Sequence, residues 1–183
     1  MDRERMVDVG VALVSRFGAK ALSLTSVAKQ AGVARATAYR MFGGREALIA
    51  AIVEREVTQL RSHLNAWADA QPDVEGKVRV QVVESLRYIR EHTALQYVLR
   101  NEPGEIVSAL VSTTDGGPAL ITQIVAATMP DLDEGIAHRL RPSPEAAAEF
   151  MVRTVYSMML VPDSVMSDEQ VADLVVAAVV APV

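Results

Sequence analysis

The stretch from residue 24 to residue 45, LTSVAKQAGVARATAYRMFGGR, constrains the fold of this chain more than any other part. Small apolar residues recur there at helical spacing and lead into Gly32, which can take the left-handed conformation that ends a helix in a tight turn. Thr25 is predicted to cap the helix before this turn through its side-chain oxygen, and a second helix is predicted to begin near Ala34. The pattern indicates two short helices that meet at a glycine.

The residues around the turn divide into an inward and an outward set. Two helices joined by a short turn approach closely only where the contacting side chains are small. The inward set is Val27, Ala31, Val33, Ala38 and Met41. The outward set offers arginine forks for guanine edges or phosphates, a threonine, and a tyrosine hydroxyl for a phosphate oxygen. It comprises Arg35, Ala36, Thr37, Tyr39 and Arg40. This face predicts a surface that reads DNA, with an ordinary helical hairpin as the alternative.

Arg45 adds a separate argument for DNA. It is predicted to lie in the first turn of a third helix, where the helix dipole disfavours a cation. A DNA phosphate bound at that helix start would resolve the conflict, because the free backbone N–H groups and the guanidinium both attract it. The alternative is that the neighbouring Glu46 neutralises the site.

The charge of the chain supports this interpretation once it is divided by position. The whole sequence has a net charge of −5, which is unusual for a DNA-binding protein. Residues 1–55 carry 9 Lys and Arg against 5 Asp and Glu, whereas residues 56–183 carry 9 against 18. The basic charge therefore surrounds the motif, where neutralising phosphates helps affinity.

The same residues carry a specific resemblance. The stretch resembles the DNA-binding module of tetracycline-repressor-type (TetR family) transcription regulators, whose helix-turn-helix ends in Tyr-x-x-Phe before a Lys or Arg opens a long helix. Here these residues are Tyr39, Phe42 and Arg45. The glycines at 43 and 44 and Ala36 depart from the usual family residues, so any base contact of Ala36 would be apolar. The resemblance implies phosphate contacts for Thr25, Ser26, Tyr39 and Arg45, and contacts with bases or phosphates for Arg35, Ala36, Thr37 and Arg40.

Helical spacing continues to the end of the chain and no strand pattern is found, so the predicted fold class is all-α. We expect an N-terminal three-helix DNA-binding domain with a helix-turn-helix at residues 1–45, and a larger helical domain for ligand binding and dimerisation at residues 46–183. Residues 101–104 (Asn-Glu-Pro-Gly) are predicted to form a break. The apolar side of the first helix is expected to consist of Met6, Val9, Gly10, Leu13 and Phe17, with Gly18 as the C-terminal stop. Helices are predicted over residues 3–17, 46–70, 74–90, 94–100, 105–111, 119–129 and 144–162. Pro144 is predicted to open its helix as a first-turn proline, and Ser167 is predicted to cap the last helix.

The last helix is apolar on more than one side, because residues 175–180 are all Val or Ala. Such a surface needs to be covered. We expect this helix and the one before it to form a four-helix interface with a second copy of the chain, as is usual in the resembled family; burial inside its own domain is the alternative. A dimer also extends the reach of one reading helix on a palindromic site. The predicted interface residues are Phe150, Val155, Met158, Met159, Val171, Leu174, Val175 and Ala178.

A small-molecule signal is implied by the same resemblance, since such regulators are generally released from DNA when a ligand enters a pocket among the middle helices. Only 4% of the chain is aromatic, so a pocket lined by Val, Leu, Ile and Met would suit an acyl chain, a sterol-like ring or another lipophilic compound. Each candidate wall residue is also an ordinary core residue type. The candidates are Trp67, Leu86, Tyr88, Tyr97, Met151 and Tyr156.

Other function classes find little support in the sequence. The three histidines are scattered, with no zinc-type spacing, and there is no nucleophile elbow, phosphate-binding glycine loop or dinucleotide fingerprint. We therefore expect no enzymatic activity, no cofactor and no metal. Cysteine is absent, and no secretory signal or membrane-spanning run is found, so we expect a cytoplasmic protein with no membrane partner.

Together these features predict a sequence-specific DNA-binding transcriptional regulator. We expect a homodimeric repressor that binds a palindromic operator and is released from it by a small lipophilic effector. The alternative is a helical nucleic-acid-binding or scaffold protein without a small-molecule signal.

Overall fold

The computed structural model describes residues 2–111, 120–129 and 133–182. Over these ranges the chain is helical, and the only β pairing among them is an isolated antiparallel bridge between Leu140 and Val180. The predicted all-α fold class is confirmed. The helices are α1 (Asp2–Phe17), α2 (Leu24–Ala31), α3 (Arg35–Phe42), α4 (Arg45–Asp69), α5 (Val74–Glu91), α6 (Thr93–Asn101), α7 (Pro103–Val111), α8 (Leu120–Thr128), α9 (Glu134–Ala137), α10 (Pro144–Leu160) and α11 (Asp168–Val179).

The helices assemble into two compact units. The first unit contains Met1–Thr58 and His92–Ser108, and the second contains Gln59–Glu91 and Ala109–Val183. Helix α6 therefore belongs to the first unit, although it follows α5 of the second unit in the sequence. The assignment of DNA binding to residues 1–45 and of ligand binding and dimerisation to residues 46–183 stays a prediction.

The core of the first unit forms where α1 packs against α2 and α6, and α2 against α3. Its largest fully buried side chains are Met6, Val27 and Leu48. The inward face of α1 differs from the expected one, because Phe17 is 57% exposed while Val7 and Val14 are buried. Apolar residues cover more than one side of this helix, so the spacing alone did not decide which of them face the core.

The core of the second unit forms where α5 packs against α10 and α11. Val82 and Val175 are its largest fully buried side chains. Two ion pairs, Arg79 with Asp173 and Arg90 with Asp168, join α5 to α11 at the edge of this core. Among the described residues, no helix is long and apolar enough to cross a membrane.

Most helix ends agree with the predicted signals. Gly18 ends α1 at a positive φ of 84°, and Pro144 lies in the first turn of α10. Ser167 caps α11, where its side chain accepts a hydrogen bond from the Gln170 N–H and the Gln170 side chain accepts one from the Ser167 N–H. These signals depend on residue type and on the backbone angles that each residue type prefers, so they can be predicted from the sequence.

Candidate nucleic-acid interface

The turn between α2 and α3 has the geometry that the glycine required. Gly32 adopts φ 67° and ψ 29°, in the left-handed region, and its N–H bonds back to the carbonyls of Ala28 and Lys29. Ala31 and Ala38 are almost fully buried at 4% and 0% exposure, so α2 and α3 can pack at short range. The first unit therefore contains a helix-turn-helix with α3 as its second helix.

The cap of α2 is Ser23, not Thr25. Ser23 is extended, with φ −130° and ψ 144°, and its hydroxyl accepts a hydrogen bond from the Ser26 N–H at 3.1 Å. The Ser26 hydroxyl donates in turn to the Ser23 carbonyl at 2.8 Å. The prediction of a Thr25 cap is thus wrong, because the helix begins two residues earlier than that cap would place it, at Leu24, and Thr25 lies within it. Thr25 and Ser26 are both exposed at the start of α2 and stay predicted phosphate contacts.

The outward face of α3 is largely exposed to solvent. Arg35, Ala36, Tyr39 and Arg40 are exposed, and Thr37 is half-buried. The Arg35 guanidinium carbon lies 5.4 Å from the centroid of the Tyr39 ring. This cation–π contact holds two of the predicted DNA-contacting side chains together on one turn of the helix, before any DNA is bound.

The N-terminus of α3 has no side-chain cap. Ala34 occupies the cap position with φ −61° and ψ 138°, and its methyl group cannot accept a hydrogen bond. The first N–H groups of an α-helix lack intrahelical partners. The start of α3 thus presents N–H donors and the partial positive charge of the helix dipole beside the exposed arginine of residue 35.

Arg45 is engaged within the first unit, which was not expected. Its Nη2 donates to the Ala19 carbonyl at 2.8 Å, and its Nε donates to the Leu22 carbonyl at 3.0 Å. Its Nη1 pairs with the carboxylate of Glu46 at 2.6 Å. The geometry favours the alternative in which Glu46 neutralises this helix start. The phosphate contact of Arg45 stays a prediction, and a phosphate there would compete with these bonds.

The loop between α1 and α2 is also held by Glu102 at the end of α6, a residue that was predicted only to lie in a break. The Glu102 carboxylate accepts hydrogen bonds from the Ala19 N–H at 2.8 Å and from the Lys20 N–H at 3.2 Å. Its oxygen lies 2.4 Å from where a Cβ on Gly18 would be. No sequence signal could have found this contact, because 83 residues separate its partners.

Arg5 is a second residue near the helix-turn-helix that was not predicted from the sequence. It is exposed in the first turns of α1, and its Nη2 lies 3.4 Å from where a Cβ on Gly32 would be. This places a guanidinium beside the turn of the helix-turn-helix. Cations near such a turn are suited to the DNA backbone.

The candidate ligand residues are divided between the units. Tyr97 lies on α6 in the first unit, whereas the other five lie in the second. Trp67 and Tyr88 both pack on the ring of His63, with ring centroids 5.5 Å away in each case. Leu86 is buried in the second core, Met151 packs against that core, and burial raises the pKa of the Tyr156 phenol. Their roles in ligand binding stay predictions.

The candidate dimer residues fall into two groups. Val171 and Val175 are 2% exposed and Met159 is 8% exposed, so these three lie inside the second unit and cannot form an outer surface. Val155 and Met158 are half-buried against the same core. One side of α11 thus packs on the chain's own domain, and the dimer interface stays a prediction. The exposed members of the set are Phe150, Leu174 and Ala178.

Fold and surface together define a helix-turn-helix protein whose second unit, over its described residues, is helical apart from the isolated Leu140–Val180 bridge. Residues 6–52 match the sequence profile of the bacterial regulatory proteins of the tetR family. An uncharacterised HTH-type transcriptional regulator of Mycobacterium tuberculosis strain H37Rv is 27% identical over 176 residues, which cover 94% of this chain and 83% of that relative. The DNA-binding module at residues 6–52 therefore belongs to the TetR family, and over nearly its whole length the chain is similar to an HTH-type transcriptional regulator.

Solved structures agree with this fold over nearly the whole chain. The TetR family repressor AlkX from Dietzia sp. strain DQ12-45-1b has a TM-score of 0.70 at 20% identity, covering 96% of this chain and 91% of that one. FadR from Bacillus subtilis, solved in complex with stearoyl-CoA, has a TM-score of 0.66 at 16% identity and covers 95% of both chains. At these identities the likeness shows the fold.

Proposed function

We propose that this regulator is a homodimeric repressor that binds a palindromic operator and is released by a small apolar effector. The observation that carries the proposal is the exposed face of α3, where Arg35 and Tyr39 are already in contact with each other. Side chains held in place before binding lose less freedom on binding, which favours a defined DNA sequence over general affinity for phosphates.

DNA recognition is tested first by selecting binding sites from random duplex DNA with the purified protein at near-physiological salt. The proposal predicts enrichment of an inverted repeat with half-sites about one helical turn apart. Arg40→Gln is expected to relax the preference at one position of each half-site. No enrichment by a folded protein would favour the alternative, a helical scaffold that binds nucleic acid without reading it.

A second copy is expected to cover the outer face of α10 and α11. Leu174 is 60% exposed, and Ala177 and Ala178 follow it at helical spacing, so an apolar stripe runs along the side of α11 that faces away from its own core. On α10, Phe150 is 46% exposed. Apolar residues repeated on the outer face of two adjacent helices match the four-helix interface expected for this family.

Sedimentation velocity of Leu174→Glu tests this interface. A carboxylate in an apolar interface is costly to bury, so the variant is expected to sediment as a monomer at concentrations where the wild type is a dimer. Val107→Glu places the same change on another exposed apolar residue, 46% exposed on α7 and outside the predicted interface, and serves as the control. A Leu174→Glu variant that remains dimeric would place the interface elsewhere.

The proposed effector is a long-chain acyl compound. The core of the second unit consists of Val, Leu and Ala, with Met151 and Val155 packed against it. Proteins of the same fold support the class: one neighbour was solved with stearoyl-CoA, and another is implicated in the biodegradation of n-alkanes. Titration of stearoyl-CoA is expected to raise the melting temperature and release the selected DNA duplex, since a ligand shifts the equilibrium only through its differential affinity for two states. Hexanoyl-CoA, with the same head group and a short chain, is the control.

A further inference from the structure

The loop between α1 and α2 is bound by one anion and one cation. Glu102, which ends α6, accepts hydrogen bonds from the N–H groups of Ala19 and Lys20. Arg45, which begins α4, donates to the carbonyls of Ala19 and Leu22. Both peptide groups of Ala19 are thus used, one by a carboxylate and the other by a guanidinium. Hydrogen bonds to charged groups are the stronger class of protein hydrogen bonds.

The fit of the carboxylate also accounts for the glycine that ends α1. Gly18 has φ +84°, and a Cβ on this residue would lie 2.4 Å from Glu102 Oε1 and 2.9 Å from its Oε2. Real Cβ atoms do not approach other heavy atoms so closely. Gly18 therefore supplies both the left-handed turn and the space in which the carboxylate lies.

Helix α6 is anchored at its other end as well. His92 caps its N-terminus, where Nδ1 accepts a hydrogen bond from the Leu95 N–H at 3.2 Å. The other ring nitrogen, Nε2, lies 2.7 Å from the Glu56 carboxylate on α4. Because Nδ1 accepts a hydrogen bond, the ring proton lies on Nε2, and the Nε2–H group donates a hydrogen bond to the Glu56 carboxylate. The position of the Glu102 carboxylate is thereby fixed by contacts at both ends of a nine-residue helix.

We propose that Glu102 is a positioning residue for DNA binding that acts through the α1–α2 loop. The loop leads directly into Ser23, the cap of α2, so it determines where the helix-turn-helix begins relative to α1. When the loop is fixed, the DNA-contacting surface is ordered before DNA binds. When the loop is released, part of the free energy of DNA binding is spent on ordering that surface. The inference needs the DNA binding of the family, but neither the proposed dimer nor the proposed effector.

Amide hydrogen exchange tests the contact itself, without DNA. Exchange of the Ala19 and Lys20 amides is followed by NMR in the wild type, Glu102→Ala, Glu102→Gln and Glu105→Gln. Glu102→Ala is expected to speed exchange of both amides about tenfold, while Glu102→Gln, which keeps an acceptor oxygen, has a smaller effect. Glu105→Gln removes the same charge three residues away and should leave both amides unchanged. Unaltered exchange in Glu102→Ala would show that the hydrogen bonds do not hold the loop.

DNA affinity then tests positioning, with a sign that separates it from simple electrostatics. Removing an acidic residue from a protein that binds phosphates should tighten binding if only charge matters. Positioning predicts the opposite for Glu102→Ala, an affinity about tenfold weaker for the selected duplex with an unchanged slope of affinity against salt. Glu105→Gln should bind as the wild type does or more tightly. Equal or tighter binding by Glu102→Ala, in a variant with faster loop exchange, would overturn the positioning role.

A double-mutant cycle with Arg45→Gln completes the test. If Glu102 and Arg45 act on DNA through the same loop, releasing either frees it, and the double variant should lose less affinity than the product of the two single losses. Additive losses would indicate that the two residues act independently and would contradict the proposal. If no duplex is bound by the wild type at all, the proposed repressor function fails, and the amide exchange still decides whether Glu102 holds the loop.

Discussion

Gly18→Ala is the substitution whose effect the structure predicts most closely. A left-handed backbone costs an L-residue about 1–2 kcal/mol. The new Cβ would also lie 2.4 Å from Glu102 Oε1, so the carboxylate must withdraw. Its hydrogen bond to Lys20, already 3.2 Å long, would then break, and that to Ala19 would lengthen. A hydrogen bond to a charged group contributes about 1.5–3 kcal/mol. The expected loss of folding free energy is therefore about 3 kcal/mol, from strain and lost bonds together.

Gly32→Ala provides the matched control for this substitution. Gly32 has a similar φ of 67°, but its nearest neighbour is the flexible end of Arg5 at 3.4 Å. Backbone strain alone predicts a loss of about 1–2 kcal/mol there. Urea unfolding with an unchanged m-value measures both losses. In a Glu102→Ala background the cost of Gly18→Ala should fall to the Gly32→Ala level. If Gly18→Ala lowers the free energy of unfolding equally with and without the Glu102 side chain, a clash with that side chain is not the cause.

Three further predictions follow from helix ends and from the reading face. Ser23→Ala should destabilise the protein by about 1 kcal/mol through loss of the α2 cap, whereas Thr25→Ala should cost less than half of that in the same urea assay. Tyr39→Phe should weaken binding to every duplex by a similar factor, without changing the selected sequence, because its hydroxyl is expected to contact a phosphate; a changed consensus in repeated site selection would contradict this. The backbone N–H at Glu169 and the Ser167 hydroxyl lower the pKa of Glu169, so wild type should exceed Glu169→Gln in stability above about pH 4.5 and lose that advantage as the pH falls through the lowered value. A difference that grows in acid would contradict that assignment.

The sequence predicted those parts of the fold that depend on local signals. The end of α1, the glycine turn at residue 32 and the start of α10 agree with prediction, because each is specified by residue type and backbone preference over a few positions. Helix α5 was predicted over residues 74–90 and is observed over Val74–Glu91. Four of the five residues predicted to face outward on α3 are exposed, and the fifth, Thr37, is half-buried.

Errors arose where several sides of a helix are apolar. On α11, Val175 and Leu174 are equally hydrophobic neighbours, yet the first is 2% exposed and the second 60%. The packing of α5 selects between them, and this information lies about 90 residues away in sequence. The same is true of Glu102 and its loop. Long-range partners of this kind leave no periodic pattern in the chain.

The uncapped start of α3 has a consequence for engineering this protein. Ala34 already has the extended backbone of a cap residue, so serine there would satisfy an orphan N–H and raise thermal stability through about 1 kcal/mol of capping energy. The same oxygen would occupy the donors that a DNA phosphate could use. Position 34 is therefore a point of trade-off between thermal stability and DNA affinity. A laboratory selection for thermostability alone would be expected to favour a more heat-resistant protein that binds DNA more weakly.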